Sequence, residues 1–278
     1  MSDPQPRSGT FKDAAGNRWY RDPLNPTREY AGVTSVLSAR RVASLEKAKL
    51  NGVARFAARH RVKLTEYNQA QVYDMLRNQD LVLPDWKIAR EFGTATHTVL
   101  ENIIFDRPLD TDLQEVKGSS TYPCDNTFTE FVPRHWARFL RETGARVISC
   151  EQTVINDEHG FGGSYDLMVE IDGVVWLIDV KSNKGGPRGT VAIQNTAYIK
   201  SPQTIDMVTG ERGEMRPVQR SGVLWMRPEG FAFHPLAYDQ GTWREFYALL
   251  ITFQRNADGD SDLIGERIAG ELEFTRWN

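Results

Sequence analysis

Hydrophobic positions along the chain follow a helical spacing first and a strand spacing later. Ile88, Phe92, Val99, Ile103 and Ile104 recur at three- and four-residue intervals or their sums, which predicts a helix over 84–105. Further helices are expected over 44–61, with Ser44 as its cap, and over 65–78. A short hairpin is expected around Ala14-Ala-Gly-Asn17. Residues 106–125 hold two prolines, several aspartates and Gly118-Ser-Ser120, and read as a loop or lobe boundary. A helix over 127–143 then leads into Arg146–Ile155, the first run with strand character.

From there the period is two. Ser164–Ile171 and Val174–Lys181 are β-branched, apolar runs joined by Asp172-Gly173, the strongest short-range signal for a two-residue hairpin loop. Folding about that turn pairs Ile171 with Val174, Val169 with Trp176 and Leu167 with Ile178. In a ladder without a bulge, Asp166 then meets Asp179. Strand alternation puts Lys181 on the Asp179 face and leaves the Val180 carbonyl free to turn toward the same site. The polar stretch Asn156–Gly163 would return the 146–155 strand antiparallel to the hairpin, bringing Glu151 near Asp166. Asn183–Gly189 is a Gly-rich turn that could bring Lys184 or Arg188 to a phosphate. Thr190 is expected to cap a helix on which Gln194 and Tyr198, four apart, share one face. A hairpin over 221–235 and helices over 240–255 and 261–273 complete the expected elements.

Opposed carboxylates destabilise a strand pair unless a positive charge lies between them. A divalent cation supplies it, and clustered hard oxygen ligands select magnesium or manganese, ions that activate water and stabilise phosphoryl transfer.

Glu151, Asp166 and Asp179-Val-Lys181 resemble the signature of the PD-(D/E)XK nuclease superfamily. Gln194-Asn-Thr-Ala-Tyr198 is similar to the Gln-x-x-x-Tyr motif of its RecB-type exonuclease branch. Gly93-Thr-Ala-Thr-His97-Thr-Val-Leu-Glu101 resembles that branch's upstream histidine helix, and Tyr30-Ala-Gly-Val-Thr-Ser-Val-Leu37 the opening of phage proteins of this type. The resemblance spans roughly residues 30–200. It implies an α/β fold, a central mixed β-sheet flanked by helices, with a mostly helical region over 1–125 and a nuclease core with C-terminal helices over 126–278. It implies catalysis by Glu151, Asp166, Asp179, Lys181, Gln194 and Tyr198, with Mg²⁺ or Mn²⁺ on His97, Asp166, Asp179 and the Val180 carbonyl. Glu101 would support His97, and Gln194 and Tyr198 would contact DNA near the scissile phosphate. The partners implied are DNA and a single-strand annealing or recombination protein, with the oligomeric state left open.

Composition narrows this little. The 278 residues, 40% hydrophobic and 26% charged, suit an ordinary globular protein. No apolar run is long enough to cross a bilayer and no signal peptide is evident, so a cytoplasmic protein without membrane association is expected. The two cysteines, Cys124 and Cys150, make no disulfide framework, and no iron–sulfur cluster is expected from them. His159, His234, His60 and His135 read as structural or surface groups. A net charge of −3 and a pI near 6.0 are unusual for a protein relying on nonspecific phosphate attraction. Basic residues nevertheless crowd 40–63, as a solvated helix face or as a track for a DNA backbone. The residues leave open an exonuclease, an endonuclease or a noncatalytic nucleic-acid-binding module.

Overall fold

The computed structural model of the chain describes residues 9–40, 43–109 and 128–258. Three short strands, β1 (Thr10–Lys12), β2 (Arg18–Arg21) and β3 (Glu29–Gly32), run into α1 (Val33–Ser38). A helical stretch follows: α2 (Ala43–Leu64), α3 (Gln69–Arg77), α4 (Gln79–Val82) and α5 (Pro84–Ile104). Then come α6 (Phe128–Thr143), β4 (Arg146–Asn156), β5 (Phe161–Ile171), β6 (Val174–Lys181) and α7 (Thr190–Ile199). The described chain ends with β7 (Gln203–Ile205), β8 (Arg212–Glu214), β9 (Arg220–Arg227), β10 (Gly230–Leu236) and α8 (Gln240–Asp258).

The strands form one mixed sheet, an α/β architecture with helices on its faces. Its centre is the antiparallel trio β4, β5 and β6. β9 joins β6 in parallel and carries β10 antiparallel on its far edge. β3 lies parallel to the start of β5 and brings β2 and β1 with it, while β7 and β8 extend the β4 side.

The β5–β6 hairpin takes the register its sequence dictates, Ile171 against Val174, Val169 against Trp176, Leu167 against Ile178. Asp172 and Gly173 both have positive φ, 51° and 77°, the backbone of a type I′ turn whose twist matches the strands. Leu167, Val169, Ile178 and Val180 point to one side, where Phe92 and Val99 of α5 and Phe131 and Phe139 of α6 cover them. Met168, Val175 and Leu177 point to the other, against Ile193 and Ala197 of α7 and Phe246 and Leu250 of α8. Burial of each such side chain contributes about 1.5–3 kcal/mol, and truncating Leu167 or Ile178 to Ala costs about 2–5 kcal/mol.

Several boundaries differ from the sequence expectation. α2 starts at Ala43, ahead of the expected Ser44 cap. The helix expected over 65–78 begins at Gln69, because Asn68 makes a capping box, accepting the Gln71 N–H while Gln71 accepts that of Asn68. Thr190 is the first residue of α7 rather than its cap; Gly189 holds the cap position without a side-chain hydrogen bond. The expected helix over 261–273 and most of the expected loop over 106–125, Cys124 included, lie outside the described residues.

Candidate metal centre

His97 stands on the α5 face that meets the sheet, with Thr96, Val99 and Leu100 buried around it. Its Nε2 lies 2.9 Å from the Val180 carbonyl of β6. That contact turns Nδ1 toward two carboxylates, 3.7 Å from Glu151 Oε1 and 3.8 Å from Asp166 Oδ1. Ligand atoms of His97, Glu151 and Asp166 all lie within 4.8 Å of one another. Burial alone would drive the imidazole neutral, but Asp166 and Glu151 outweigh it and push its pKa up to about 9.

Backbone irregularity makes this convergence. Glu151 sits in β4 with φ at 52°, a left-handed conformation costing a non-glycine residue about 1–3 kcal/mol. The β4–β5 register also shifts between Val147 and Ser149. On β5, Tyr165 and Met168 pack toward α7 while Leu167 packs toward α5, so face alternation breaks around Asp166. The β5–β6 ladder correspondingly ends at Leu167–Ile178, and Asp166 Oδ2 instead accepts the Val180 N–H at 2.7 Å.

The ladder therefore does not register Asp166 against Asp179, although the two carboxylates act on each other through space. Asp166 joins His97 and Glu151, whereas Asp179, 2% exposed, belongs to a second group with Lys181 and α7. Lys181 Nζ is 2.6 Å from Asp179 Oδ2, a close ion pair. Gln194 Nε2 donates to Asp179 Oδ1 at 3.1 Å and lies 3.2 Å from the Tyr198 hydroxyl. Burial lifts the Asp179 carboxyl above its usual range against the pull of Lys181. The Lys181 ammonium, opposed by burial, is nonetheless held above its ordinary pKa by Asp179 and then Asp166. Lys181 keeps 31% of its side chain exposed, so it is the member of the couple that faces outward.

Tyr198, expected to contact DNA, is buried beneath Gln194. It is 2% exposed, its ring seated on Gly163, where a Cβ would come within 2.5 Å of Cε1. Its hydroxyl serves Gln194. The sequence reading passed over Gly163; a glycine inside a strand run is the signal that marks such a close approach. The Val180 carbonyl, expected as a ligand, is engaged by His97. Glu101 meets Arg107 at 3.2 Å. Lys184 and Arg188 are exposed on the loop after β6, a loop tied down by Asn183, whose carbonyl accepts Trp225 Nε1–H at 2.9 Å.

The donor set suits a divalent ion. Two carboxylates and an imidazole match the harder first-row cations, and the Val180 carbonyl fixes the ring by its far nitrogen, as metal-bound histidines require. Asp166 and Glu151 raise the affinity of His97 for a proton, and a divalent ion held there would take that proton's place.

No family model matches the chain, and no curated protein matches it. Among solved structures, the fold is similar to an alkaline exonuclease (LHK-Exo) from Laribacter hongkongensis, with 16% identity and a TM-score of 0.35 over 59% of this chain and 78% of that one. It is similar also to LHK-Exo in complex with dAMP, with 16% identity and a TM-score of 0.33 over 63% of this chain and 92% of that one. Among the described residues, no helix is long and apolar enough to cross a membrane.

Proposed function

We propose that the chain is a divalent-metal-dependent nuclease that hydrolyses phosphodiester bonds in DNA, working from ends as an exonuclease. The observation that carries this reading is the meeting of His97, Glu151 and Asp166 within 4.8 Å beside a buried Asp179–Lys181 couple. A strained backbone at Glu151 and a broken alternation at Asp166 stabilise nothing by themselves, and such features belong with function.

His97, Glu151 and Asp166 would hold Mg²⁺ or Mn²⁺, which supplies Lewis acidity toward water and the phosphoryl oxygens. Lys181 faces outward from the sheet and offers a fixed positive charge to the phosphoryl group as negative charge grows on it. Asp179 keeps that ammonium protonated and in place. Gln194 restrains the second Asp179 oxygen, and Tyr198, wedged on Gly163, restrains Gln194. Lys184 and Arg188 stand ready to meet the phosphate backbone next to the site. The exonuclease reading rests on the Gln194–Tyr198 resemblance to the RecB-type branch, as does a role in phage DNA recombination or processing beside an annealing protein.

Linear and covalently closed duplex DNA, each incubated with Mg²⁺, Mn²⁺ or EDTA, test the proposal. Degradation of the linear form alone, abolished by EDTA, is expected. Nicking of the closed circle would make the chain an endonuclease, and inertness of both would leave a binding module.

A further inference from the structure

We infer that the outer face of α2 is a rail for the sugar–phosphate backbone of the substrate duplex, set apart from the metal centre. The inference rests on the nuclease reading, because it takes the DNA as given and assigns the surface that holds it.

α2 carries a single acid, Glu46, against six lysines and arginines, and Glu46 is 3.4 Å from Lys49. Lys47, Asn51, Arg55 and Arg59 follow one another at four-residue intervals, and all are exposed. They line one face of the helix. Among the described residues no carboxylate comes within ion-pair distance of Lys47, Arg55 or Arg59. Like charges at this spacing destabilise a helix in isolation. The fold does not use the face either: of residues 46–64, Gly52 alone is buried. An unpaired row of cations that serves no core is complementary to a regular row of anions.

The placement fits a polymer. Gly52 seats α2 against the segment before α5, where a Cβ would lie 2.5 Å from Leu83 Cδ2, and the Arg90–Asp80 ion pair ties α4 to α5. His97 lies thirteen residues beyond Pro84 on α5, about 20 Å at a helical rise of about 1.5 Å per residue. From Lys47 to Arg59 the row runs about 18 Å, the length of about five base-pair steps. It ends at His60, where φ of −109° and ψ of 15° kink the helix. A duplex cut at the metal centre thus reaches α2 only beyond its first several base pairs.

The test uses the full chain and the triple variant Lys47→Ala/Arg55→Ala/Arg59→Ala. Binding of a fluorescent duplex of about 20 base pairs is followed by anisotropy in EDTA across a salt series. Turnover of bis(p-nitrophenyl) phosphate in Mn²⁺ is measured in parallel. Removing three phosphate contacts should flatten the slope of log K against log salt by about 2.7, with small-diester turnover unchanged. Asn51→Lys, which extends the row, should steepen the slope by about 0.9. Slopes equal to wild type in both variants would overturn the rail, as an acidic protein occupant would also produce. A wild-type chain that neither binds duplex nor cleaves the small diester would instead overturn the nuclease reading beneath it.

Discussion

Val180 gives its backbone N–H to the Asp166 carboxylate at 2.7 Å, and its carbonyl meets His97 Nε2 at 2.9 Å. The backbone of one residue thus fixes both an acid and a base of the metal centre. Asp166→Asn keeps an acceptor for that N–H but removes the charge. Its melting temperature without metal should stay near wild type, while the upward shift that saturating Mn²⁺ gives wild type should disappear. At a hundredfold excess over Kd, that shift corresponds to about 2.7 kcal/mol. Asp166→Ala, which strands the N–H, should in addition lose about 1–3 kcal/mol in chemical denaturation.

Asp179 and Lys181 act as a couple. Lys181→Met leaves a buried carboxylate without its counter-charge and should destabilise the chain by about 3 kcal/mol, judged by urea unfolding. The double variant Asp179→Asn/Lys181→Met should recover most of that stability yet remain inactive. Recovery of cleavage together with stability would remove Lys181 from the chemistry.

Gly163 supports the site from beneath. Gly163→Ala drives a Cβ into the Tyr198 ring, which loosens Gln194 and with it Asp179. Overpacking of this kind costs about 1–3 kcal/mol. Tyr198→Phe, which removes only the hydroxyl beside Gln194, should cost less in both stability and activity. Melting curves and cleavage rates of the two variants compare the effects directly.

The hairpin and its neighbours were legible because alternation, Asp-Gly and the helical period of α5 are local signals, and they set the register of Leu167 against Ile178 and the limits of Pro84–Ile104. What local pattern conceals is where the ladder stops. An unbulged hairpin would set Asp166 opposite Asp179, whereas the ladder ends at Leu167–Ile178, and the left-handed Glu151 and the break around Asp166 bring Glu151 and Asp166 to His97. Those departures are settled by contacts far apart in sequence, such as His97 with Val180 and Tyr198 with Gly163. The pairing of β3 with β5 is equally nonlocal, and its short strand carries no periodic signal of its own.

His135 gives the fold an acid-sensitive point. It is buried between Phe131 and Phe231, and neither ring nitrogen has a hydrogen-bond partner among the described residues. Burial lowers its pKa, with Arg134 and Arg138 adding to that, against the nearby carbonyls of Pro228 and Arg227. The unfolded chain therefore binds a proton that the folded one refuses, so stability is lost as pH falls below about 6.5. Asp22 and Asp157 have lowered pKa values: burial opposes ionisation, but hydrogen bonds and Arg212 outweigh it. Their contribution is present above about pH 4 and is lost on further acidification. Asp179, its pKa raised to about 6, takes up a proton in the same window and offsets part of the His135 loss, so the test is the difference between proteins. The melting temperature of His135→Leu should gain on wild type as pH falls below about 6.5, and the stage below about pH 4 should remain in both.

Cleavage of an end-labelled linear duplex in Mg²⁺ by wild type and by Asp166→Asn bears most directly on the account. Wild type should degrade the strand and stop on addition of EDTA, and the folded variant should be slower by at least about a hundredfold. Equal rates for the two proteins, or degradation by wild type that EDTA leaves untouched, would contradict it.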